Sequence, residues 1–130
     1  MNATAASAET RQVSFVTGLY EAMRDSMREE PRMTIIGAQV FGLRDNHLMD
    51  ALRDEFPGRV MEPPVAEAAL VTTAVGAAMA GAPTFLSVGT GTFSFPAWSS
   101  IFNEAAVVHH LSNGQLRAPI VLHIDRKSVV

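Results

Sequence analysis

The sequence predicts an α/β fold, a parallel sheet covered by helices. Three observations carry that expectation. Short apolar runs at residues 33–36, 84–88 and 119–124 suit buried strands. Helical patterns separate them, and the crossovers are far longer than hairpin turns, which makes neighbouring strands parallel. No internal repeat, linker or second domain interrupts the alternation, so the 130 residues read as one domain.

Each element has its own signal. Phe15, Leu19, Met23 and Met27 recur every fourth residue with Val16 and Tyr20 beside them, while Arg24, Asp25, Arg28 and Glu29 fall outside, so residues 14–30 form an amphipathic helix. Pro31 ends it. Residues 33–36 make the first strand, and Gly37 marks its exit. Residues 47–56 carry Leu48, Leu52 and Phe56 on one helical face and stop at Pro57-Gly58, after which Arg59-Val60-Met61 forms a short strand. Pro63-Pro64 halts that element and suits the approach to a helix beginning within a residue or two of Ala66. Residues 84–88 give the next strand. Pro96 opens another helix with Ile101, Ala105 and Val108 on its inner side, Asn113-Gly114 closes it, and residues 119–124 are the last strand.

Composition excludes several classes of function. A chain that is 48% hydrophobic can bury roughly two thirds of its unfolded surface. A net charge of -3 and a pI near 5.7 offer no basic field for nucleic acid. With no cysteine, disulfides and thiolate zinc sites are ruled out. Residues 1–12 are rich in Ala, Thr and Ser without an apolar stretch, so they read as a disordered lead-in rather than a secretory signal. The uncharged run 68–82 is too short for a membrane span and suits a helix buried in protein. The expected location is the cytoplasm.

Glu67 is the most informative residue. It stands in the first turn of a helix of small apolar residues, and no other charge appears before Gly81. The helix dipole alone would favour an exposed glutamate there by a few tenths to about 1 kcal/mol. On a packed and dry face, an unpaired carboxylate is costly and needs a partner. Gly76, Ala77, Ala80 and Gly81 would let another backbone approach closely, either this domain's own sheet or a second subunit.

The order of motifs carries a resemblance. Pro-x-x-Glu-Ala at 64–68, the Ala/Gly helix after it, Phe93-Ser94-Phe95-Pro96-Ala97, Asn103-Glu104-Ala105-Ala106, and Ser112-Asn113-Gly114-Gln115-Leu116 follow one another as in the β subunits of thiamine-diphosphate-dependent 2-oxo acid dehydrogenases. Together with Ile35-Ile36-Gly37 and Phe56-Pro57-Gly58-Arg59-Val60, the similarity runs from about Val13 to Ile120. It implies a transketolase-like pyrimidine-binding domain, of which residues 13–130 would be the N-terminal part. It implies that Glu67 hydrogen-bonds the cofactor's pyrimidine ring and assists its activation, that Phe93 stacks on that ring, and that Gly89 lies in a loop beside it. Phe93 reads equally well as a core phenylalanine, since Phe95, Trp98 and Phe102 crowd the same region. Gly89-Thr90-Gly91 lacks the third glycine of a dinucleotide fingerprint and the Lys of a P-loop, so it is not a phosphate loop.

Departures from the family pattern limit what carries over. Ala38 and Gln39 stand where an acidic pair is usual, Ala69 where a glycine is, and Ser99-Ser100 where Asp-Gln is common. Residues 122–130 leave the family's Arg-Gly-Pro-rich continuation. The Gly-Asp-Gly segment that holds diphosphate and magnesium is absent, Asp45-Asn46 reads as a turn pair, and no metal ligand set is expected. An α-type subunit would supply that half of the site, in a homo- or hetero-oligomer. His109 and His110 read as surface or interface residues, and His47 and His123 have no partnering motif. Two other functions stay open: a noncatalytic truncated paralogue acting as an interaction subunit, and part of a split transketolase-like enzyme.

Overall fold

Ser14 starts the first helix by accepting a hydrogen bond from the Thr17 amide at 3.0 Å, which satisfies one of the N–H groups that a helix leaves unpaired at its beginning. The computed structural model describes residues 10–37, 40, 45 and 47–125. From Ser14 the chain runs through α1 (Phe15–Glu29), β1 (Thr34–Ile36), α2 (His47–Glu55), β2 (Val60–Met61), α3 (Glu67–Met79) and β3 (Thr84–Thr90). A 3-10 helix (Gly91–Ala97), a π-helical segment (Ser100–Ala105), α4 (Val108–Leu111) and β4 (Ile120–Asp125) complete it. Residues 1–9 of the expected lead-in, the Ala38-Gln39 departure, Asn46 and residues 126–130 lie outside the described residues.

The four strands lie in the order β2-β1-β3-β4, and every pair is parallel. Ile35 stands opposite Val60 on one side and Phe85 on the other, and Phe85 opposite Val121. Alternation along the strands divides the core in two. Ile35, Val60 and Phe85 meet Met23 and Met27 of α1 and Met49 and Leu52 of α2. Ile36, Leu86 and Val88 face the opposite way, onto Val71, Ala74, Val75 and Ala78 of α3. Burial of each large apolar side chain is worth about 1.5–3 kcal/mol, so the sheet is held from both faces.

Four details differ from the expectation. Phe15 is exposed, because the first turn of α1 overhangs the core that Met23 and Met27 fill. β3 continues to Thr90, where Asp125 pairs with it beyond an irregularity in the ladder. Pro96 lies inside the 3-10 helix rather than opening a new one, since the chain already coils at Gly91, with Ser94 Oγ donating to the Gly91 carbonyl at 2.7 Å. The next turns widen to π geometry, with the Ala106 amide bonding the Ile101 carbonyl at 3.0 Å. Ile101 and Ala105 pack on the α3 core as expected, whereas Val108 sits half-buried outside it.

Gly37 has a steric requirement the sequence did not reveal. Its φ is +123°, and a Cβ there would stand 2.2 Å from the Ser87 carbonyl oxygen, so only glycine lets β1 leave the sheet this close to β3.

Arg59 ties the two ends of the first layer together. Its Nη1 donates to the carbonyls of Met27 and Pro31, each at 2.9 Å, and of Glu30 at 3.2 Å, while its guanidinium lies 4.7 Å from the centre of the Phe56 ring. These carbonyls end α1, where a cation is favoured. Replacement by Met keeps the stem and strands the carbonyls, so Arg59→Met is expected to lower the unfolding free energy by about 2–3 kcal/mol in urea titrations. Arg59→Lys, with one rotating donor head instead of a planar fork, should recover only part of it.

Glu55 joins α2 to α1 through Arg24 Nε at 2.5 Å and Arg28 Nη2 at 2.6 Å. The hydrogen bond from Arg24 is the main reason its carboxyl lies below the usual glutamate range. A depressed folded-state pKa gives stability that is present above the unfolded value and fades as pH falls through the folded one. Urea midpoints followed downward from pH 6 should therefore fall through the acid range, and Glu55→Gln should be less stable than the wild type near neutral pH, the difference shrinking as pH falls.

Candidate functional site

Topology brings the three expected site residues together. Parallel strands place all their carboxyl ends at one edge of the sheet, and a crossover helix leaving that edge begins there. Glu67 is the first residue of α3 and Gly89 lies near the end of β3, with Phe93 in the 3-10 helix that follows. All three line one cleft of about 150 Å³, with Pro63, Pro64, Val65, Ala66, Leu70, Ser87 and Val88 as the remaining walls.

Local structure fixes each wall. Gly89 has φ +74°, a conformation that favours glycine, and lies beside Phe93, whose Cδ2 would stand 3.5 Å from a Cβ placed there. Ser94 is buried and bonded to Gly91, which anchors the turn that carries Phe93 outward. Pro63 and Pro64 stiffen the strap leading into Glu67. The aromatic residues are not a core: Phe93, Phe95, Trp98 and Phe102 are 49%, 67%, 48% and 49% exposed. Trp98 and Phe102 lie against each other with ring centres 4.5 Å apart and form an open patch beside the cleft.

Glu67 is half-buried rather than dry, and no hydrogen bond or ion pair reaches its carboxylate among the described residues. One face of α3, with Val71, Ala74, Val75 and Ala78, is packed on the sheet; the other, with Ala69, Thr73, Gly76 and Ala80, is exposed. A Cβ on Gly76 would meet nothing within 4 Å, so the close approach that its size permits is not made among the described residues. Thr72 Oγ1 donates to the Ala68 carbonyl at 2.8 Å and lies 2.7 Å from Ser100 Oγ, which binds α3 to the π segment.

Sequence reasoning missed several neighbours. The strap prolines were visible as helix punctuation and, at Pro64, as part of the motif leading to Glu67, while Leu70, Ser87 and Val88 carried no signal beyond being core-like. His123 gains a partner through strand register: its Nδ1 lies 3.2 Å from Ser87 Oγ, and its ring stacks on Phe85 at 5.6 Å. His109 Nδ1 lies 3.1 Å from the Leu116 carbonyl in the turn after α4, away from the cleft lining. Among the described residues no group of three or more His, Cys, Asp or Glu could hold a metal ion, and no helix is long and apolar enough to cross a membrane.

Known proteins are similar in sequence along most of the chain. The pyruvate dehydrogenase E1 component subunit beta of Rickettsia conorii is 36% identical over 107 residues, covering 78% of this chain and 33% of the relative. The mitochondrial pyruvate dehydrogenase E1 component subunit beta-2 of Oryza sativa subsp. japonica is 31% identical over 92% of this chain and 32% of its own length. The 2-oxoisovalerate dehydrogenase subunit beta of Bacillus subtilis is 31% identical over 85% of this chain and 34% of its own. The chain thus spans about a third of the length of these curated relatives. The family described as transketolase, pyrimidine binding domain, matches residues 11–126, and the chain, with its parallel sheet and covering helices, belongs to that family.

Proposed function

We propose that this chain is the pyrimidine-side half of a thiamine-diphosphate site in a β-type subunit of a 2-oxo acid dehydrogenase, with residues 13–130 the front part of its pyrimidine-binding domain. The convergence of Glu67, Gly89 and Phe93 on one cleft carries this reading. A carboxyl group, an exposed aromatic face and apolar walls are the set an aminopyrimidine ring requires. Phe93 offers a stacking surface worth about 0.5–1.5 kcal/mol beyond area burial. Glu67, without a partner among the described residues, is free to bond a ring nitrogen and to hold a proton there.

The cleft lining holds no cationic residue for a diphosphate. In this proposal an α-type subunit provides the diphosphate and magnesium side, and the names of the relatives, each a subunit of a larger enzyme, support such an assembly. Thiamine diphosphate supplies the stabilised carbanion equivalent needed to cleave the bond beside a 2-oxo acid's carbonyl. Cytoplasmic location belongs to the same reading.

Titration calorimetry with thiamine diphosphate and magnesium should give negligible binding to this chain alone and clear binding once a matching α-type chain is added. Tight magnesium-dependent binding by the chain alone would overturn the divided site. In a completed assembly, Glu67→Gln is expected to slow proton exchange at the cofactor's thiazolium carbon by orders of magnitude with assembly unchanged. Exchange at the wild-type rate would leave Glu67 as a helix-terminus charge and favour the noncatalytic interaction subunit.

The exposed face of α3, the aromatic patch, and Leu111, Val121 and Ile124 leave more apolar surface open than a lone domain tolerates. The chain is expected to associate, as a homodimer through α3 or with an α-type chain. Sedimentation velocity across a dilution series checks this, and a monomer at all concentrations with α3 strongly protected from hydrogen exchange would contradict it.

A further inference from the structure

A second cleft of about 280 Å³ opens at the far end of the sheet, lined by Arg32, Met79, Gly81, Gln115, Leu116 and Arg117 together with Ala78, Pro83 and Pro119. It lies where the strands begin, a strand's length from Glu67; the seven residues of β3 span about 20 Å. Its polar side chains are two guanidinium groups and one amide, and no carboxylate lines it, although the chain carries 13 acidic residues against 10 basic ones.

The two arginines differ in their fixing. Arg32 is bonded to Glu30, with its backbone N–H 3.0 Å from Oε1 and its Nε 3.4 Å from the same atom, and its Nη1 lies 3.2 Å from where a Cβ on Gly81 would stand. That places its charge at the carbonyl end of α3, where it offsets the negative end of the helix dipole. The Ala77 and Ala78 carbonyls there are already engaged by the amides of Ala82 and Gly81, each at 3.0 Å. Arg117 makes no hydrogen bond or ion pair among the described residues. Its planar fork of donors is therefore open to a ligand.

We propose that this cleft binds a small phosphate-class oxyanion, with Arg117 as the principal donor, Arg32 and Gln115 beside it, and Met79, Leu116, Pro83 and Pro119 receiving an apolar stem. An arginine fork matches the paired oxygens of a phosphate, and Arg117 brings a charge that no carboxylate offsets among the described residues. Glu30 pairs with Arg32 from beside the cleft, and no carboxylate reaches Arg117 among the described residues. The proposal is independent of the cofactor reading, because it involves the opposite edge of the sheet and none of the residues around Glu67.

Inorganic phosphate and phenyl phosphate, titrated into the full chain at constant ionic strength and followed by calorimetry and by hydrogen exchange at Gly81 and residues 115–117, test it. Both should saturate, phenyl phosphate at several-fold lower concentration. Arg117→Gln should weaken both by roughly tenfold or more, the loss expected for one charge-assisted contact. Arg53→Gln, which changes an arginine bonded to Asp50 and Glu62 outside the cleft, should leave both unchanged. Absence of saturation, equal loss in the two variants, or protection arising around Glu67 instead of Gly81 would overturn the proposal. Phosphate binding without any gain from the phenyl group would overturn the assignment of the apolar wall.

Discussion

The docking of α3 across the sheet is the constraint on which the rest of the structure depends. Its four buried residues, Val71, Ala74, Val75 and Ala78, lie over Ile36, Leu86 and Val88, so β1 and β3 are held beside each other by the helix that crosses them. The crossover must leave from the carboxyl edge of β2 and return to the amino edge of β3. Glu67 is thereby committed to the same edge at which β3 ends. Gly89 and Phe93 arrive there because the strand runs in parallel with its neighbours and has nowhere else to finish. A carboxylate and an aromatic ring well separated in sequence become neighbours through topology alone, in the place where open α/β sheets commonly bind ligands.

The two faces of α3 have different consequences. The sheet-facing side uses branched and small apolar residues to pack closely, and it is dry. The outward side, with Ala69, Thr73, Gly76 and Ala80, is bare and nearly uncharged. A helix that is apolar all round suits burial on both sides. The same asymmetry extends through the π segment, whose Ile101 and Ala105 pack inward while Phe102 and the preceding Trp98 point to solvent. Energy gained by covering such surface scales with its apolar area, so association is a natural outlet for it.

The ends of the sheet contrast in charge. At the carboxyl edge the cleft is apolar with one acid; at the amino edge it is lined by two arginines and an amide. The α3 dipole favours this placement of side chains, an acid at its start and a cation at its end. Glu67 gains from that field, and Arg32 cancels it where α3 stops. The polarity of each cleft is set by particular side chains whose signs agree with the backbone field.

Much of the fold was legible in the sequence because its signals are local. Helical spacing at Leu19, Met23 and Met27, the strand run at Thr34, Ile35 and Ile36, the proline pair before α3, and Asn113-Gly114 at positive φ each report conformations that depend on a residue and its near neighbours. The position of Glu67 was also legible, as a lone charge heading an apolar helix. Tertiary structure alone decided that Phe93 is exposed rather than core, that Phe15 overhangs the first layer, and that Pro96 sits within a 3-10 turn. It also decided that Ser87 meets His123, that Gly37 must lack a side chain, and that Arg32 and Arg117 share a cleft. Each of those facts rests on contacts between residues distant in the chain, and such contacts are fixed by strand order and register, which amino-acid pattern constrains only after the sheet has formed.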